Sequence, residues 1–197
     1  MSHFAVAVIS DKGYDIEELL LPYMENCCGT PPYEYMEFYK DEDCEVDEIT
    51  GEKGFWQNPN AKWDYWCEGG RFEKYAIETI GFVSGRVCDI KFDKEKEAKA
   101  AEKWWNDNID ENGNAKTFIA ALERNGLDRD KYIESKSHVS FRAVVTPDGE
   151  WHEVGTMGWF GMSSETEDEL YDWNINFEER FIKPYEDYTI TIVDCHI

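Results

Sequence analysis

A chain of 197 residues, 42% hydrophobic and 15% aromatic, is long enough for one domain with a real core and too apolar for general disorder. Its 43 acids against 20 bases leave a net charge of −23, which argues against a general nucleic-acid binder and against an anionic membrane surface. No apolar run approaches the roughly 20 residues of a membrane span, the opening lacks a signal peptide's basic region, and six cysteines without a CxxC pair read as reduced thiols.

The run from His3 to Ile9 is continuously apolar and predicts a buried strand. Asp15 suits the N-cap of a short helix through Ile16, Leu19 and Leu20, which Pro22 disturbs at its far end. Residues 27–32 read as a loop. Between Tyr33 and Tyr39 the period is blurred by Met36 and Phe38, so helix and strand both stay open. Residues 41–48 hold six acids and no base, without the spacing of a calcium loop, and read as part of a solvated acidic loop near 41–54.

Residues 58–72 follow, with four aromatics (Trp63, Tyr65, Trp66, Phe72), the pair Gly69-Gly70 and the bases Lys62 and Arg71. A glycine pair beside large rings implies close backbone approach to side chains or to a ligand. Residues 75–83 and 86–92 read as two strands around Ser84-Gly85. Residues 93–106 predict a helix with Ala98, Ala101 and Trp105 on one side. Residues 115–124 predict a second, with Phe118, Ile119 and Leu122 inward and Asn125-Gly126 as its stop. Residues 128–135 add a further turn or two.

Residues 138–145 and 150–154 flank Thr146-Pro147-Asp148-Gly149 as a hairpin. Residues 155–161 form a second glycine and aromatic loop, carrying Trp159 and Phe160. Ser164-x-x-Glu167 has the form of a capping box for a helix whose apolar face is Leu170, Trp173, Phe177 and Phe181. Residues 188–197 predict a final strand whose apolar register suits a central place beside the first. The whole reads as one α+β domain over 1–197. It has a mixed or antiparallel central sheet, N- and C-terminal strands adjacent, and helices mainly on one face.

For function, Trp63, Tyr65 and Trp66 with Lys62 and Arg71 are candidates for a stacking platform with phosphate-binding cations, and Arg142 is a further cation. The competing reading is a core of large aromatics with the cations paired to nearby acids. Trp159 and Phe160 read either as a second wall or lid of the same pocket or as a structural turn. His3, His138, His152 and His196 read as structural or hydrogen-bonded. Neighbours in a strand point to opposite faces, so Cys195 and His196 do not converge on one metal ion. No nucleophile–base–orienter set and no metal cluster is legible, so no catalytic residue, metal or cofactor is expected, and binding ranks above catalysis.

Seven blocks spread in order over the chain carry a family resemblance. They are Met1-Ser2-His3-Phe4, Lys62-Trp63-Asp64-Tyr65, Gly69-Gly70-Arg71-Phe72, Asp89-Ile90, residues 145–152 (VTPDGEWH), residues 157–161 (MGWFG) and residues 193–197 (VDCHI). On these blocks the chain resembles an uncharacterised family of small bacteriophage and prophage proteins. Many of its members have Trp where Phe72 stands and a longer segment before the Lys-Trp-Asp block, so the acidic loop is expected to be particular to this lineage. The resemblance implies a phage accessory gene acting in the cytoplasm of the infected bacterium, where countering host defence is a frequent role.

The resulting expectation is capture, without turnover, of a small nucleotide-like ligand such as a host immune signal. The ligand-binding residues would be Lys62, Trp63, Tyr65, Trp66, Arg71, Trp159 and Phe160. A homo-oligomer with several sites would suit capture, and neither nucleic acid nor membrane is an expected partner. Two alternatives stand beside it: an acidic inhibitor or DNA mimic that binds a host defence protein, and a hydrolase acting on a nucleotide.

Overall fold

The computed structural model of the chain describes residues 2–13, 15–25, 33–156 and 164–197. The loop expected at 27–32 and the aromatic pair Trp159 and Phe160 therefore lie outside the described residues. In chain order the elements are strand β1 (His3–Ser10), helix α1 (Ile16–Leu20), strands β2 (Glu37–Lys40), β3 (Gly54–Gln57) and β4 (Tyr65–Glu68), and helix α2 (Glu73–Ile80). Strand β5 (Ser84–Arg86) and helices α3 (Lys94–Asn108), α4 (Phe118–Arg124) and α5 (Arg129–Lys136) follow. Strands β6 (Ala143–Val145) and β7 (Trp151–Glu153), helix α6 (Glu167–Phe177) and strand β8 (Thr189–His196) complete the order.

The two continuous apolar runs at the ends of the sequence lie side by side at the centre of a mixed sheet of order β4-β8-β1-β6-β7, with β5 also paired to β8. Strand β1 runs antiparallel to β8 over its full length, from His3 opposite His196 to Ser10 opposite Thr189, and parallel to β6. Beyond the strands the ladder continues: Ser2 N–H donates to the Ile197 carbonyl at 3.0 Å, and Ile197 N–H to the Ser2 carbonyl at 3.1 Å. β2 and β3 pair separately and carry the acidic loop between them.

Both sheet faces are covered, which is why β1 and β8 need apolar side chains at every central position. On one face Ala5, Ala7, Ile9, Ile190 and Ile192 pack under Ala76 and Ile80 of α2 and Trp173 and Phe177 of α6. On the other, Phe4, Val6, Val8, Val193 and Cys195 pack under Leu19, Leu20 and Trp63. Among the described residues no helix is long and apolar enough to cross a membrane.

Four local expectations need correction. Residues 73–80 form a helix where a strand was expected from 75: Ala76, Thr79 and Ile80 are buried at helical spacing, and Gly81 closes the helix at φ 98°. The expected turn at Ser84-Gly85 is itself in a strand, Ser84–Arg86, which pairs with β8, and the strand expected over 86–92 does not form, because residues 87–89 turn as a 3-10 helix. The capping box lies two residues later than Ser164 and Glu167. Thr166 N–H donates to Glu169 Oε2 at 2.8 Å and Glu169 N–H to Thr166 Oγ1 at 3.3 Å, while Ser164 Oγ accepts from Thr156 N–H. In α4, Phe118, Ile119 and Leu122 point outward, 77%, 76% and 62% exposed, and Ala120 is the buried residue. Its caps, Thr117 and a left-handed Asn125, hold the helix with its small side inward.

Candidate functional site: two histidine–aspartate dyads beside an aromatic cleft

Alternation along β8 puts Asp194 and His196 on the same face, and the register sets their neighbours. Tyr65, His196 and His3 stand opposite one another across β4, β8 and β1, and Cys67, Asp194 and Ala5 form the next row inward. Residues directly opposite in antiparallel strands have Cβ atoms about 4.5–5.5 Å apart, so each row is a line of touching side chains. The rows lie where the apolar cover of Ala7 and Ile192 gives out, and polar groups replace it.

Asp194 is 3% exposed. Its Oδ1 lies 2.8 Å from His3 Nδ1, and its Oδ2 accepts the Arg71 backbone N–H at 2.9 Å. This accounts for the glycine pair. Gly70 has φ +49°, and a Cβ there would fall 2.5 Å from Asp194 Oδ2 and 2.8 Å from Cys67 Sγ. Only glycine lets the backbone close over the carboxylate and present Arg71 N–H to it.

The second dyad mirrors the first. His196 Nδ1 lies 2.5 Å from Asp64 Oδ1, and the Asp64 backbone N–H donates to the His196 carbonyl at 2.9 Å. The two imidazole centroids are 4.9 Å apart with planes inclined at 67°. An ionised carboxylate only accepts, so each Nδ1 carries a proton toward its aspartate and each ring turns Nε2 away from it. Neither Nε2 has a hydrogen-bond partner among the described residues, and neither is sealed from solvent.

His3 also borders a cleft of about 730 Å³, inside the usual range for small-molecule sites. Its aromatic walls are Tyr75, Phe92, Trp104, Tyr132, Phe141 and Trp173. Burial pushes the Tyr75 and Tyr132 hydroxyls above the ordinary tyrosine range, with Glu123 adding to both, so these rings stay neutral. Lys136 and Arg142 supply positive charge at the cleft, the first 3.3 Å from Glu123 and the second 2.9 Å from Glu165.

The structure divides the residues expected to bind ligand. Tyr65 is 60% exposed beside His196, and Arg71 is exposed while its backbone clamps Asp194. Trp63 belongs to the core, with Nε1 donating to the Leu20 carbonyl at 3.2 Å, and Trp66 packs on the opposite sheet face from Tyr65. Lys62 is held 2.7 Å from Glu153 on β7. The single platform of Trp63, Tyr65 and Trp66 is thus not assembled, because Trp63 and Trp66 pack on one sheet face while alternation along β4 turns Tyr65 to the other. Trp159 and Phe160 lie outside the described residues. His3, His152 and His196 are hydrogen-bonded, as expected, whereas His138 Nδ1 is buried without a hydrogen bond; the aspartate partners of His3 and His196 form two base–orienter pairs that local motifs did not reveal.

Among the described residues no group of three or more His, Cys, Asp or Glu side chains converges to hold a metal ion. Comparison with protein-family models, curated proteins and solved structures finds no match to this chain.

Proposed function

We propose that this protein binds a small nucleotide-like ligand in the aromatic cleft and so withdraws it from the cytoplasm of an infected bacterium, where the ligand serves host defence. The observation that carries the reading is the junction of two unlike surfaces. Flat aromatic walls suited to a nucleobase run up to His3, and the cations Lys136 and Arg142 in the same cleft are suited to a phosphate. The resemblance to phage proteins supplies the biological setting. The test is a thermal-shift panel of cyclic di-AMP, cyclic GMP–AMP and ADP-ribose, run with the wild type and with Tyr75→Ala. At least one nucleotide should raise the melting temperature, and Tyr75→Ala should weaken that shift. A panel that leaves the wild type unmoved removes the reading.

A second reading, binding to a host protein, is favoured by the outward apolar face of α4. Phe118, Ile119 and Leu122 on a chain of net charge −23 fit a partner with an apolar groove rimmed by Lys and Arg. Sedimentation decides against it if the chain's mass doubles with concentration and Phe118→Ser abolishes the doubling, because that face then joins copies of this chain.

A further inference from the structure

We infer that His3 and His196 form a general acid–base pair that hydrolyses a phosphoester bond in the bound ligand. This rests on the binding reading above and adds chemistry to it. Asp194 and Asp64 are the positioning residues: each holds one Nδ1–H, so that Nε2 faces outward in both protonation states.

Three features separate this arrangement from a purely structural histidine pair. The buried carboxylate of Asp194 is spent on orienting a ring whose reactive nitrogen stays solvent-reachable, and a carboxylate is costly to bury without a full set of donors. Four chain segments, ending at His3, Asp64, Arg71 and His196, converge to build the two dyads. The dyads are duplicated side by side, with ring centroids 4.9 Å apart.

The duplication selects the reaction class. Acyl transfer runs with one histidine that shuttles a proton between nucleophile and leaving group on the same side of the carbonyl. In-line displacement at phosphorus needs a base at the entering oxygen and an acid at the departing one, which are different places. Two separately oriented imidazoles match the second demand. Water is the nucleophile. Nε2 of one neutral imidazole takes a proton from water as the water oxygen bonds to phosphorus. The bond from phosphorus to the leaving oxygen breaks, and that oxygen takes the proton from Nε2–H of the other, protonated imidazole. One water is consumed, and exchange with solvent restores the starting protonation of both rings.

The test uses the full chain and the variants His3→Asn and His196→Asn. Asparagine keeps a donor where Nδ1 stood, so each aspartate retains its bond, and it removes Nε2. His3→Gln, which puts an amide that cannot carry the proton near the Nε2 position, serves as a second variant if either of the others fails to fold. Cyclic di-AMP, ADP-ribose and bis(p-nitrophenyl) phosphate are incubated with each protein and analysed by chromatography, alongside thermal shift with the two nucleotides. The wild type should return product, and each variant should lose about 10²- to 10⁴-fold in kcat while keeping its nucleotide shift. If the wild type binds a nucleotide but returns every probe intact, hydrolysis is overturned and binding stands. Turnover that the variants leave unchanged overturns the assignment to these histidines. A wild type that neither shifts nor turns over any probe removes both readings.

Discussion

His3 and Asp194 stand 191 residues apart in the chain, yet Nδ1 of one lies 2.8 Å from Oδ1 of the other. The aspartate accepts from two donors while almost wholly buried, so it ties β1, β8 and the turn at Arg71 into one unit. Asp194→Ala strands both donors. The expected loss is about 2–3 kcal/mol of unfolding free energy. Urea denaturation checks it, and a change below about 0.5 kcal/mol, the usual range of a surface substitution, contradicts the role given to this carboxylate.

Gly70 and Gly13 allow a controlled comparison. Both have positive φ, +49° and +85°, but a Cβ at Gly13 meets nothing within 4 Å whereas one at Gly70 meets Asp194 and Cys67. Gly13→Ala should cost about 1–2 kcal/mol from backbone conformation alone. Gly70→Ala should cost more than that and should displace the His3 ring, seen as a shifted imidazole resonance by NMR. Equal losses at the two sites would mean that the turn over Asp194 has room to spare.

Serine at Phe118, Ile119 or Leu122 should each change stability by no more than about 0.5 kcal/mol, since these side chains face solvent. Trp63→Ala should cost about 3–5 kcal/mol, because that ring fills the core and bonds the Leu20 carbonyl. Chemical denaturation of the four variants distinguishes the outward α4 face from the inward one that hydrophobic periodicity suggests.

Burial raises the Cys195 thiol above its ordinary 9.0 and the Tyr132 hydroxyl above its ordinary 10.0. Both groups hold their protons more tightly folded than unfolded. Their contribution to stability is therefore complete below about pH 9 and declines as pH climbs past the unfolded values. The urea midpoint should stay level from pH 7.5 to 9 and drop by pH 10.5. Iodoacetamide at pH 8.5 should label exposed Cys88 and spare Cys195, read by peptide mass spectrometry. Rapid labelling of Cys195 in the native protein would contradict the packing described for β8.

What the sequence made legible was mostly what burial writes into it. Two unbroken apolar runs predicted β1 beside β8, and helical spacing predicted α3 and the inward face of α6. Residues 75–83 misled because Tyr, Ile, Phe and Val favour strands, while the burial of Ala76, Thr79 and Ile80 that marks a helix came from small or polar side chains. In α4 the large apolar residues cluster in sequence without being buried, so periodicity pointed the wrong way.

The site was harder to read for a different reason. Its bonds join His3 to Asp194 and Asp64 to His196, across 191 and 132 residues, and no local spacing encodes either. One signal was present. With the terminal strands adjacent, alternation alone places Asp194 and His196 on one face, and an antiparallel register that set His3 opposite His196 would have completed the cluster.

The reciprocal bonds between Ser2 and Ile197 bring the two ends of this sequence together beside the histidines. During synthesis β8 emerges after all of its partners, so β4 and β5 find their place in the sheet only when it arrives, while β1 can meet β6 first. Loss of residues 189–197 would remove half of each dyad together with the centre of the sheet, so a truncated product would lose the histidine cluster and the fold in one step. The same proximity favours circular permutation. A short linker from 197 to 2, with new ends opened in the acidic loop between β2 and β3, would carry the site into the interior of the chain and leave its geometry in place.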